Sequence, residues 1–316
     1  MKKSWMILVV FMIFLASLIS CSFKFLQEEE RPKVVVVLKS LNIEYWKIFK
    51  SGAEKAFDDF QIDGKVIAPA SMYLIKDQMN MLKDVLKQNP DALIVAPTHP
   101  SATIPILIEY NEKNIPVLLA DTDAGWEEQT SYIGTDNTAL GKMAGKLLAS
   151  MLQPGDQAAL ISGAVVDTLK TERIEGAKKT LEAAGIKVVT EQSGYDQFGN
   201  AKSVMANILE DYPEVKGVFA ADDTMALEAL KIIEEKELKI PVIGTDGITK
   251  MIEYIEKGAL SATLAQNPYD MGYLSVKQAL NAIKGENVLN RIDSGVDIIT
   301  QDNARDKLDF LEKLLD

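Results

Sequence analysis

From Lys33 onward the chain alternates short continuous apolar runs with longer stretches in which apolar residues recur every three or four positions. KVVVVL (33–38) is rich in β-branched residues and bounded by Pro32, which predicts a buried strand. The stretch after it carries Tyr45, Phe49, Ala53, Ala56, Phe57 and Phe60, the spacing of one helical face. The pattern repeats. Strands are predicted at KVIAPA (65–70), ALIVAP (92–97), PVLLAD (116–121), QAALIS (157–162), KVVTE (187–191), GVFAAD (217–222), PVIGTD (241–246) and SATLAQ (261–266), with helical stretches between most of them. Such alternation predicts an α/β fold with parallel sheets covered by helices on both faces. The strands are too many for one simple doubly wound sheet, so two similar doubly wound lobes are expected. SYIGTDNTALGKMAGKLLASML (131–152) opens on a short strand and runs into a long helix, which places a first crossing between lobes near Thr135. Residues Ala304 to Leu315 form an amphipathic helical pattern whose partner the sequence does not name.

The first twenty residues break this rhythm. Lys2 and Lys3 precede an almost wholly apolar run from Trp5 to Ile19, then Ser20 and Cys21, the only cysteine. A basic head, an apolar middle and a small residue before the cut describe a secretory signal. Leu18-Ile19-Ser20-Cys21 resembles the lipobox of bacterial lipoproteins, which implies lipid attachment at Cys21 and residence outside the cytoplasm. Two or more acyl chains hold a protein at a membrane, since each buried CH₂ contributes about 0.8 kcal/mol. The run also reaches the length of an uncleaved anchor; the processing pattern favours the lipoprotein. Residues 21–32, with Glu28-Glu29-Glu30, read as a solvated tether.

Of the 316 residues, 34 are Lys or Arg and 46 Asp or Glu, a net charge of −12 that becomes two units more negative once Lys2 and Lys3 leave. That balance, without a basic stripe, argues against a nucleic-acid partner. His99 is the only histidine, so a His/Cys zinc site is excluded, and a triad would have to use His99, whose setting in APTHPSA reads as a turn. No GxxxxGK[ST] or GxGxxG run occurs, and neither a cofactor nor a metal is implied.

The candidate chemistry lies at strand ends, where open parallel sheets bind ligands. Lys39, Ser40, Asn42, Tyr45 and Trp46 follow the first strand. Asp121, Thr122 and Asp123 follow PVLLA; Asp222 and Asp223 follow GVFAA; Asp246 ends PVIGT and Gln266 ends SATLA. Carboxylates accept several hydrogen bonds each, and charge-assisted bonds are the stronger ones. A cleft lined this way suits a hydroxyl-rich ligand, with aromatic faces against its C–H side. An Asp at a strand end also serves as a helix cap, a role weighed equally at Asp223 and Asp136. Paired carboxyls at a set separation perform glycoside hydrolysis; a cleft of fixed acceptors is more simply a binding site than an enzyme.

Together these stretches resemble the type I periplasmic binding proteins, in the branch that holds ribose- and galactose-binding proteins. The likeness runs from about Lys33 to Ile299: SLNIEYWKIFKSGAEKAF (40–57), DALIVAPTHPSA (91–102), RIEG (173–176), VFAADDTMALEAL (218–230), VIGTDG (242–247) and ATLAQ (262–266), in the family's order. The resemblance implies two doubly wound parallel-sheet lobes joined by a three-strand hinge, with crossings near Thr135, Gln266 and Ser294. It divides the chain into 33–135 plus 267–294 and 136–266 plus 295–316. Carried over by position, Lys39, Tyr45, Trp46, Asp121 and Thr122 bind ligand from the first lobe, and Arg173, Asp222, Asp246 and Gln266 from the second or the hinge. Three positions depart from the pattern. Lys39 replaces a small polar residue, Thr122 an arginine, and Asp196 an aromatic for which nearby Phe198 is the candidate substitute. Asp222 and Asp196 are the expected partners of Lys39 in a closed cleft. The implied function is a monomeric solute receptor of an ABC importer that binds a monosaccharide or related polyol and closes by a hinge. The alternative is a sensor of a sugar or autoinducer-2-like signal for a histidine kinase or chemoreceptor.

Overall fold

The computed structural model describes residues 31–163, 168–194 and 201–315. The signal segment, Cys21, most of the tether, Asp196 and Phe198 lie outside them. The chain begins with β1 (Lys33–Val37), α1 (Glu44–Phe60), β2 (Asp63–Ile67), α2 (Ile75–Lys87), β3 (Ala92–Val95), α3 (Pro100–Glu112), β4 (Val117–Ala120) and β5 (Ser131–Gly134). It continues with α4 (Asn137–Ala149), β6 (Gln157–Ser162), α5 (Thr168–Ala183), β7 (Lys187–Ser193), α6 (Ala201–Asp211), β8 (Val215–Ala220), α7 (Asp223–Glu235), β9 (Val242–Asp246), α8 (Thr249–Glu256) and β10 (Ala262–Gln266). It ends with α9 (Pro268–Ile283), β11 (Arg291–Asp293), β12 (Val296–Ile299) and α10 (Ala304–Leu315).

The strands form two six-stranded sheets, ordered β11-β5-β4-β3-β1-β2 and β12-β10-β9-β8-β6-β7. The core order 2-1-3-4-5 recurs in both, so the chain is two doubly wound α/β lobes. All pairings are parallel except β10 with β12. The central strands read as unbroken apolar runs because helices cover both faces of each sheet: β3 and β4 are buried at every residue, and β1 everywhere past Lys33. The edge strand β2 is only half-buried and starts at Asp63, where Lys33 pairs with it, two residues ahead of the apolar run KVIAPA.

After β5 the chain leaves the first sheet, and α4 packs in the core around the second. After β10 it returns as α9, whose Met271, Val276 and Ala279 join the first-lobe core with Phe49 and Ala53 of α1. Between β11 and β12 it crosses again. These two short strands are not visible in the apolar rhythm, because they lie at sheet edges with largely exposed side chains. The closing amphipathic helix α10 occupies the span its pattern outlines; it packs on α8 and touches α1. Among the described residues no helix is long and apolar enough to cross a membrane.

Candidate functional site

The C-terminal ends of β1 and β4 face those of β8, β9 and β10, and the side chains there join into one network. On the first-lobe side Asp121 follows β4 with φ 60°, a left-handed conformation that a non-glycine residue seldom adopts. Its backbone is pinned on both sides: its N–H donates to Ile133 O at 2.9 Å, and Tyr132 Oη donates to its carbonyl at 2.8 Å. The carboxylate accepts from Lys39 Nζ at 3.0 Å, from Thr122 Oγ1 at 2.9 Å and from Tyr45 Oη at 3.0 Å. Lys39 also donates to Thr122 Oγ1. Burial pushes the Asp121 carboxyl up, but the Lys39 charge and the three donors outweigh it and hold it below the usual carboxylate range. The Tyr45 hydroxyl is pushed the other way, by burial first and then by Asp121 and Asp246.

On the second-lobe side Arg173 projects from α5 and is 4 % exposed. Its Nε donates to Asn137 Oδ1 at 2.8 Å, and its Nη1 to Ala221 O, Thr245 Oγ1 and Asp246 Oδ1 at 2.9, 2.9 and 3.0 Å. Helix α5 comes this close because α4 carries Gly141 at the contact; a Cβ there would overlap the carbonyl oxygen of Arg173. Burial works against the guanidinium charge, and Asp246, Tyr45 and Asp121 outweigh it, so its pKa rises. Asp246 ends β9 with φ 117°, again an unusual backbone at a strand end. Burial pushes its carboxyl up, with Arg173 opposing. Gln266 Nε2 donates to Asp246 Oδ1 at 2.6 Å, and Thr135 Oγ1 donates to Gln266 Oε1 at 2.7 Å. Tyr45 Oη stands 3.5 Å from that same Gln266 oxygen, so the two halves meet at the Tyr45–Gln266 pair.

Asp222 lies beside this array. It caps α7 by accepting from Met225 N at 2.8 Å, while its second oxygen takes Lys170 Nζ at 2.7 Å. Asp136 caps α4. Asp223 is not a cap: its fully buried carboxyl accepts from Gly247 N, Ile248 N and Thr263 Oγ1, tying the β9–α8 turn to β10. Burial and the Asp246 charge push this carboxyl up to about 8.

The structure therefore brings Lys39, Tyr45, Asp121, Thr122, Arg173, Asp246 and Gln266 together, with Asp222 at their edge and Asp196 outside the described residues. Two expectations are corrected. Lys39 pairs with Asp121 of its own lobe and not with Asp222, because Asp222 is taken by Lys170. Trp46 is turned into the first-lobe core at 4 % exposure, since the residue after Tyr45 on a helix points about 100° away from it. Its ring meets Tyr45 edge-on at 5.1 Å, and Lys39 lies 5.4 Å above it. Lys170, Asn137 and Thr245 were not anticipated. Of these only Thr245 carried a signal, as the neighbour of Asp246 at a strand end. Among the described residues no group of three or more His, Cys, Asp or Glu side chains could hold a metal ion.

Residues 34–287 match the model of a family described as a periplasmic binding protein domain. The chain belongs to the type I periplasmic binding proteins, in the ribose-binding branch. It is similar to the ribose import binding protein of Escherichia coli, 30 % identical over 260 residues that cover 82 % of this chain and 87 % of that one. The ribose import binding protein of Haemophilus influenzae is 27 % identical over 268 residues, 85 % of this chain and 91 % of the relative. Among solved structures, a periplasmic solute-binding protein of an ABC transporter from Actinobacillus succinogenes with bound D-allose superposes with a TM-score of 0.80 at 27 % identity, over 87 % of this chain and all of the other. A glucose-galactose binding protein from Geobacillus stearothermophilus gives the same score and identity over 87 % of this chain and 99 % of that one.

Proposed function

We propose that this periplasmic binding protein captures a monosaccharide or related polyol between its lobes, outside the cytoplasmic membrane, and delivers it to an ABC permease. The observation that carries the reading is the convergence of side chains from both lobes on one locus, with Asp121 and Tyr45 on one side and Arg173, Asp246 and Gln266 on the other. Three carboxylates (Asp121, Asp222, Asp246) are each matched by a cation (Lys39, Lys170, Arg173). Pairing of these described charges with one another suits a neutral ligand that both donates and accepts hydrogen bonds, as a sugar hydroxyl does. The relatives named for ribose and allose support the same ligand class.

Both lobes supply side chains to the locus, so a ligand bridging them stabilises the closed arrangement by its differential contacts there. The division into 33–135 plus 267–294 and 136–266 plus 295–316 makes the three crossings the hinge. Binding is favoured over hydrolysis, which needs an acid and a base on either side of the scissile bond, because the described site carboxylates Asp121, Asp222 and Asp246 are each paired with a cation. Lipid on Cys21 anchors the protein at the membrane surface, and the working form is a monomer.

A thermal-shift screen of D-ribose, D-allose, D-galactose, D-glucose, inositols and furanone-type signals tests the ligand class, because a bound ligand raises the unfolding temperature through RT ln(1 + [L]/Kd). A rise with one sugar, confirmed by calorimetry, is expected; no rise with any sugar or polyol overturns the reading. Mass spectrometry of the mature N-terminus tests the lipid on Cys21, and sugar uptake by cells lacking the gene tests delivery.

A further inference from the structure

One face of α1 is spent on the opposite lobe. Glu44, Ile48 and Ser51 recur at the i, i+4, i+7 spacing that stacks side chains along one side of a helix. All three reach past the first lobe. Glu44 Oε1 accepts from the backbone N–H of Thr249 at 2.8 Å and from its Oγ1 at 2.8 Å. Ile48, 4 % exposed, is buried in the second-lobe core beside residues that include Leu311 of α10. Ser51 Oγ shares its proton between Lys47 O of its own helix at 3.1 Å and Leu314 O on α10 at 3.2 Å.

The Glu44 contact is unusual in what it completes. Thr249 opens α8, whose own N-cap residue, Ile248, supplies no side-chain acceptor. An exposed first-turn N–H at a helix start seeks a side-chain oxygen. Here that oxygen comes from the other lobe. Glu44 is also the first residue of α1, whose N-cap, Ile43, likewise supplies none. One carboxylate thus sits at the positive ends of two helices that belong to opposing lobes. Both helix starts follow strand ends at the site, those of β1 and β9, so the contact bridges the two lobes beside it.

We infer that the Glu44–Ile48–Ser51 stripe of α1 is an inter-lobe latch, in which Glu44 caps α8 across the cleft and sets the closed population without reading the ligand. The inference rests on the hinge-closing reading above, and it makes Glu44 a positioning residue rather than a ligand contact. A receptor whose binding-competent state is populated only to a fraction f binds with Kd divided by f, so weakening the latch lowers apparent affinity for every ligand by one common factor.

The test compares wild type with Glu44→Ala, Glu44→Gln and Thr249→Val. Calorimetry uses D-ribose and D-allose, and an inter-lobe spin-label distance is read in the ligand-free protein. Glu44→Ala is expected to weaken both sugars by the same factor, about tenfold, as the loss of two bonds to a charged acceptor partly replaced by water would give. Glu44→Gln keeps an acceptor and recovers part of that factor. Thr249→Val loses only the hydroxyl bond and falls between wild type and Glu44→Ala. The ligand-free distance distribution shifts to longer values in the same order. Unchanged affinity and distance in Glu44→Ala overturn the latch, and so does a loss that differs between the two sugars, which would make Glu44 a ligand contact. If neither sugar binds the wild type, the ligand assignment fails while the distance measurement still decides the latch.

Discussion

Replacing Arg173 by lysine keeps the buried charge and removes the fork that distributes it. The guanidinium reaches Asn137 Oδ1 from Nε and Ala221 O, Thr245 Oγ1 and Asp246 Oδ1 from Nη1. It thereby ties α4, β8 and β9 to α5 through one planar group. A lysine ammonium is a single point of donation and cannot serve both ends. Placed against Asp246 it abandons Asn137 Oδ1, whose residue is 2 % exposed. Ala221 O keeps the hydroxyl of Thr245, at 2.7 Å, so it is not stranded. One lost bond from a charged donor costs about 1.5–3 kcal/mol, and retaining the charge beside Asp246 avoids the larger cost of an unpaired carboxylate. A loss of about 1.5–3 kcal/mol in a protein of this size lowers Tm by about 2–5 °C. Differential scanning calorimetry of the ligand-free protein reads that fall directly. Affinity for the sugar that gives the largest thermal shift should drop with it, by about 2–4 kcal/mol or 30- to 1,000-fold, because Asp246 is no longer held at its present angle. A Tm within about 1 °C of wild type would show that the guanidinium fork does not fasten these elements, and the account of the second-lobe half of the site would fall with it.

Asp121 is held below its ordinary pKa in the folded state, so its contribution to stability is present above the unfolded value and lost as pH falls through the lower folded one. Urea unfolding from neutral pH into acid should show wild type losing more stability than Asp121→Asn, and equal slopes would refute the Lys39 pairing. Asp223, pushed up to about 8, has the opposite sign: its contribution is full below about pH 4 and declines as pH rises toward 8, by at most about 1.4 kcal/mol per pH unit. Asp223→Asn should flatten that decline in the same urea experiment, and a decline that survives the substitution assigns it to another group. Gly141→Ala forces α4 from α5 at the Arg173 carbonyl; the expected cost is about 1–3 kcal/mol in chemical denaturation together with weakened sugar binding, and a neutral result would mean that the helices part without moving Arg173.

Much of the architecture was legible because burial on both faces of a parallel sheet demands unbroken apolar runs, and such runs are a local property of the chain. QAALIS (157–162) became β6 over the same residues, and the closing amphipathic stretch became α10. The place of the chemistry followed from the same rhythm, since carboxylates at the ends of predicted strands must share one edge of their sheet. The short strands β11 and β12 escaped notice because edge positions with exposed side chains carry no apolar signature.

What the chain by itself determined was the alternation of strands and helices that builds two parallel-sheet lobes, and which polar side chains follow the ends of the apolar strands. Only the tertiary structure decided which of them meet. Lys39 finds Asp121 across 82 residues of sequence, Glu44 finds Thr249 across 205, and Tyr45 faces the site while its neighbour Trp46 enters the core. Apolar periodicity records whether a residue is buried, and that follows from its near neighbours. An ion pair or a cap supplied from another lobe depends on the relative placement of distant elements, which no local stretch of sequence encodes.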